Sequence, residues 1–103
     1  MATRRVKPDK DIELSLDAVE TGLRFLVNTV IAPADAPEWR QWLEEVGFLR
    51  GEQVAVLARG VPGGDPLVIR VGLSTFALRR AEAACVRVIP VKAGEPADAG
   101  APA

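Results

Sequence analysis

Cys85 is the only cysteine of the chain, and Glu82 stands three residues before it. On a helical turn that spacing puts thiol and carboxylate on one face, so this pair is the candidate site for a divalent transition ion. A closed structural zinc site takes four ligands, and histidine is absent from all 103 residues. Two donors of mixed type would hold zinc or ferrous iron only weakly, with further carboxylates shared across a contact between two copies of the chain. A lone cysteine among alanines reads more readily as a small buried hydrophobe. Arg79 and Arg80, beside Glu82, read as a solvated charged turn rather than an anion clamp. Gly47 and Gly51 are spaced like a phosphate-cradling loop, but no Gly-Lys-Ser or Gly-Lys-Thr follows them. A helix stop and a turn account for both.

No nucleophile, base and orienting group can be assembled from the remaining residues. The absence of histidine removes the commonest general base, and the chain is expected not to be an enzyme. Gly51-Glu52-Gln53-Val54-Ala55-Val56, followed by Gly60, is similar to the turn-and-strand opening of RNA-binding ribosomal barrels. Such binders need a basic groove and stacking aromatics. Here 13 basic residues face 14 acidic ones, the net charge is -1, aromatics make up 5%, and tyrosine is absent. Nucleic acid is therefore not the expected partner.

The elements that position these residues follow from local patterning. One small domain is expected, with 49% hydrophobic residues to build its core. Residues 92–103, KAGEPADAGAPA, cannot bury enough surface to offset the entropy of ordering and are expected to be disordered. Residues 1–10 are expected to be loose, which leaves 11–91 as the folded unit. The basic start is followed by Asp9, Asp11 and Glu13 rather than an apolar stretch, so no signal peptide is expected. No run approaches the roughly 20 apolar residues of a membrane span, and one cysteine allows no internal disulfide. A cytoplasmic location is expected.

Asp17, Glu20 and Gly22 predict one capped helical turn. Asp35 and Glu38, with Pro37 between them, predict the start of a helix. Trp39, Trp42, Leu43 and Val46 then fall on one face at i, i+3, i+4 and i+7, and Gly47 stops it. Leu23 to Ile31 reads as a strand with Phe25, Val27, Thr29 and Ile31 on one side. Glu52 to Gly60 reads as a second strand, and the turn-rich Val61 to Pro66 returns the chain into Leu67 to Val71. Thr75 to Arg79 and Val86 to Val91 complete the series, with a helical turn over Arg80 to Cys85. An open sheet of this size leaves two exposed edges. The expectation is thus a mainly β fold, a small SH3-like five-stranded partly closed barrel with two short helical insertions.

The same residues carry a family resemblance. Leu16-Asp17-Ala18-Val19-Glu20-Thr21-Gly22 resembles the opening turn of the ferrous iron transport protein A (FeoA) family. Leu43-Glu44-Glu45-Val46-Gly47-Phe48-Leu49-Arg50-Gly51-Glu52-Gln53-Val54 is similar to its step from helix into strand. Gly64-Asp65-Pro66-Leu67 and the run from Phe76 to Val88 extend the match, in order, over about 70 residues. The resemblance implies a regulatory role in bacterial ferrous iron uptake, beside the cytoplasmic part of the membrane transporter FeoB. It also implies a relation to the regulatory SH3-like domain of iron-dependent repressors, so a transition-metal sensor is the alternative. SH3-like barrels present a shallow groove between loops, suited to a peptide or a sheet edge. The contact residues expected there are Trp39, Phe48, Leu49, Leu73 and Phe76. No cofactor is required by this reading, and a homo-oligomer would serve the shared metal site.

Overall fold

The computed structural model describes residues 12–91; the N-terminal segment expected to be loose and the tail expected to be disordered lie outside them. Six strands alternate with short helical pieces: β1 (Leu14–Ser15), a 3-10 turn (Leu16–Ala18), β2 (Phe25–Val30), α1 (Glu38–Val46), β3 (Gln53–Arg59), β4 (Leu67–Val71), β5 (Ser74–Leu78), α2 (Arg80–Ala83) and β6 (Val86–Pro90). They form one antiparallel sheet in the order β1-β6-β2-β3-β4-β5. Five strands were expected; the sixth is β1, whose two residues are too few to show a period. The edges β1 and β5 are not hydrogen-bonded to each other. Instead, the 3-10 turn after β1 touches α2, the helix that follows β5.

Alternation puts one face of each strand into a common core. Leu67, Ile69 and Val71 of β4 are buried, as are Val54 and Val56 of β3 and Val86 and Val88 of β6. Two bulges break this simple parity. In β2 the register slips at Asn28, whose amide donates to Glu13 Oε2 at 2.6 Å. Val30 therefore joins Phe25 and Val27 inside, while Thr29 is half-buried and Ile31 exposed. In β3 the slip falls at Leu57 and turns Arg59 toward the inner side, opposite the buried Leu67. Arg59 uses its guanidinium there: Nη1 donates to the Asp17 carbonyl at 2.9 Å and Nη2 to that of Val19. One side chain thus ties β3 to the end of the 3-10 turn.

Neither expected acidic cap forms. Asp17 lies inside its turn, which ends before Glu20, and accepts a hydrogen bond from the Ser15 hydroxyl. Pro37, directly before α1, already has helical dihedrals, and the Trp39 N–H is taken by the Ala36 carbonyl rather than by a side chain. The C-terminal end behaves as the sequence suggests. Gly47 (φ 133°) donates to the Glu44 carbonyl at 3.1 Å, and Phe48 N–H reaches back to Leu43 at 3.0 Å. That pair of bonds is a Schellman stop, and it brings the residue after the glycine toward Leu43.

The hairpin between β3 and β4 closes tightly. Gly60 N–H donates to the Pro66 carbonyl and Gly64 N–H to that of Gly60, both at 2.8 Å. A Cβ on Gly60 would stand 2.6 Å from the Asp65 carbonyl oxygen. Gly60→Ala is expected to destabilise the fold by about 1–3 kcal/mol through this clash. Urea midpoints check it, and an unchanged midpoint would mean that the loop holds nothing in place.

Candidate functional site

The five residues expected to form a contact surface separate on folding. Leu73 sits with Gly72 in the two-residue turn joining β4 to β5 and is 93% exposed. A leucine so placed has no packing reason to be there. Leu49, in the loop after α1, is also exposed. Trp39 and Phe76 are half-buried and pack against the core. Phe76 lies opposite Ile69, on the inner face. Phe48 is 1% exposed and cannot serve as a contact residue: the Schellman stop turns it inward, into the cluster that also holds Leu43. Trp42, not among the five, is the more exposed tryptophan of α1, because it lies at the rim of the helix's apolar stripe.

Leu73 borders a cleft of about 280 Å³ on the outer face of β3 and β4, lined also by Arg24, Gln53, Ala55, Arg70 and Gly72. Trp39, Leu49 and Phe76 do not line it. The face around Leu73 is therefore the part of the expected surface that has both an exposed apolar side chain and a concave floor.

The loop from Gly47 to Gly51 offers no phosphate cradle. Four of its five N–H groups are engaged internally, Gly51 to Val27 at 2.9 Å and Leu49 to Gly47 at 2.8 Å, in addition to the two of the helix stop. The backbone of the charged turn is likewise held by structural bonds. Arg79 N–H donates to Glu82 Oε1 and Arg80 N–H to Asp65 Oδ1, both at 2.9 Å. The first caps α2, and the second ties α2 to the hairpin loop.

Those bonds bear on the candidate metal pair. Glu82 is engaged in capping, while Cys85 is buried with its thiol directed to the Ala81 carbonyl at 3.5 Å. Burial, and secondarily the Glu82 carboxylate, pushes the Cys85 thiol above its ordinary value of 9.0. A protonated thiol is a poor ligand. Among the described residues, no three Cys, Asp or Glu side chains gather in a way that could hold a metal ion. Among the described residues, Glu82 and Cys85 therefore find no further ligand with which to form a zinc or iron centre.

The raised thiol has a consequence for stability. The folded state holds this proton more tightly than the unfolded chain does. Its contribution is complete below the unfolded value and is lost as pH rises above 9.0 through the folded one. Cys85→Ala is expected to lose less stability than the wild type between about pH 8 and about pH 10. Urea midpoints at the two pH values measure this, and identical losses would show that the thiol ionises equally in both states.

The FeoA domain family model matches residues 14–90. No curated protein matches the chain. Among solved structures, FeoA of Stenotrophomonas maltophilia is 33% identical over 80% of this chain and 93% of its own, with a TM-score of 0.65. It was crystallised with zinc and is described as an SH3-domain protein, put forward as a ferrous iron transport activating factor. FeoA of Chlorobium tepidum is 27% identical over 87% of this chain and 81% of its own, with a TM-score of 0.62. A manganese-dependent transcriptional repressor is 20% identical over 82% of this chain and 44% of its own, with a TM-score of 0.65; that likeness concerns the fold alone. The fold is mainly β and SH3-like.

Proposed function

The chain belongs to the FeoA family, and on that footing we propose that it is a non-enzymatic module that regulates bacterial ferrous iron uptake by docking on the cytoplasmic part of a FeoB-type transporter. The observation that carries this reading is Leu73, an apolar side chain 93% exposed on a tight turn beside a cleft. Exposed apolar groups at a concave rim are what a transient protein partner uses. No helix among the described residues is long and apolar enough to cross a membrane; in this reading the partner spans the membrane and holds the module at its cytoplasmic face. Iron is the transporter's cargo here, and the module needs no resident metal. The manganese-dependent repressor offers a parallel in shape only, and the Glu82–Cys85 pair gives a sensor reading no ligand set among the described residues.

Leu73→Ala separates contact from core. The substitution is expected to weaken binding to the transporter's cytoplasmic domain by about 5- to 10-fold, the range of a moderate interface anchor. Folding stability should change by about 0.5 kcal/mol or less, as at other exposed sites. Affinity and urea midpoint measured on the same preparation decide it. A large loss of stability with affinity intact would place Leu73 in the core and remove it from the interface.

A further inference from the structure

The cleft beside Leu73 is built from a row of residues across three strands. Ala55 of β3 lies opposite Arg70 of β4. On its other side Val54 pairs with Phe25 of β2, and Arg24, the residue just before β2, lines the same cleft as Ala55. Val54, Val56, Phe25 and Ile69 point into the core, which puts Arg24, Ala55 and Arg70 together on the outer face. Two arginines thus straddle an alanine, on strands about 10 Å apart across the intervening one. The short side chain of Ala55 and the bare Gly72 leave the floor low, and the cleft of about 280 Å³ results; a Glu52 carboxylate oxygen stands at its edge, 3.2 Å from where a Cβ on Gly72 would lie, and the two arginines outnumber it.

Both arginines are exposed, and neither makes an ion pair within the described residues. Arg40 and Arg87 are each paired with a glutamate, while Arg50, Arg59, Arg79 and Arg80 likewise make no ion pair among the described residues. What distinguishes Arg24 and Arg70 is their place, on two sides of one depression whose rim ends in an exposed leucine. Guanidinium forks match carboxylates bidentately, and the row is wide enough to admit one extended chain between them.

We propose that this cleft is the docking site for an acidic, extended peptide segment of the partner, whose carboxylates lie between Arg24 and Arg70 and whose neighbouring apolar side chain packs on Leu73. The assignment rests on the transporter reading above for the identity of the partner. The geometry and charge of the cleft stand apart from that reading.

The experiment has two arms, both using the full chain, as wild type and as R24E/R70E. The first measures affinity for the transporter's cytoplasmic domain. The second measures anisotropy of a labelled peptide of alternating Glu and Leu, with its Lys and Leu counterpart as control. The wild type is expected to bind the Glu peptide and not the Lys peptide. Charge reversal should cost about tenfold or more in both arms, and binding should weaken as salt rises from about 50 to about 500 mM. The neutral R24Q/R70Q variant should lie between the two. Both sites are exposed, and unchanged melting curves verify that the variants are folded.

Equal binding of the two peptides, or binding unaffected by charge reversal, overturns the proposal. Release of the peptide by inorganic phosphate far below the free glutamate concentration needed would also overturn it, in favour of a phosphate site. Domain binding that survives R24E/R70E would sink the cleft assignment and leave the transporter reading standing. Arginine-dependent binding of the Glu peptide without any binding of the domain would do the reverse.

Discussion

Phe48→Ala is expected to destabilise the protein by about 3–5 kcal/mol, the cost of deleting a fully buried aromatic ring. Phe48 is 1% exposed and is the largest of the fully buried side chains. A domain of this size has only about 5–10 kcal/mol of net stability, so the variant should be close to unfolding at room temperature. The backbone gives the reason for the burial. Gly47 ends α1 with a Schellman stop, and Phe48 N–H is bound to the Leu43 carbonyl, so the chain has no freedom to present the ring to solvent. A urea midpoint near that of the wild type would show that the ring can leave the core at little cost. Phe48→Leu keeps most of the apolar volume and should lose much less.

Arg59→Ala carries the second largest expected effect, about 2–4 kcal/mol. Its guanidinium donates to the carbonyls of Asp17 and Val19, which no other described side chain reaches. Hydrogen bonds from a charged donor are worth more than neutral ones, and removing the donor strands two acceptors in a half-buried place. Arg59→Lys should recover only part of the loss, because an ammonium on a single stem cannot span both carbonyls as a planar fork does. Amide exchange of residues 16–19 should rise in Arg59→Ala before the rest of the sheet is affected. A midpoint within about 0.5 kcal/mol of the wild type would mean that the turn holds without this side chain.

These two residues mark where the sequence is legible and where it is not. The stripe on α1 and its glycine stop are plain in Trp39, Leu43, Val46 and Gly47, and so is the alternation of Leu67, Ile69 and Val71. The burial of Phe48 was also available, since a hydrophobic residue directly after a Schellman glycine belongs against the helix it follows. Its place in a loop, taken alone, points to the surface instead. The inward turn of Arg59 was not available. It depends on a bulge at Leu57, and in a run where Val54, Ala55, Val56, Leu57 and Ala58 are all apolar, no alternation marks the slip. The burial of Val30 in place of Thr29 was hidden in the same way, because it depends on the bulge at Asn28, in a run where Leu26, Val27, Val30 and Ile31 are apolar on both sides of it.

The candidate surface follows the same division. Leu73 was legible because a tight turn leaves a side chain nowhere to hide, whatever the rest of the fold does. The arginines beside it were not, because Arg24 and Arg70 are 46 residues apart in sequence and only the pairing of β3 with both β2 and β4 puts them around Ala55. Glu82 and Cys85 were close in sequence and remain close in space, but capping and burial occupy them.

The docking proposed for this FeoA-family chain, on the cytoplasmic part of a ferrous iron transporter, comes down to one measurement. Calorimetric titration of the full chain into the folded cytoplasmic domain of the transporter from the same organism, with and without guanine nucleotide, tests it most directly. Saturable binding at a defined stoichiometry, weakened by Leu73→Ala, is the expected result. No heat and no association at tens of micromolar, with both partners shown to be folded, would contradict the account.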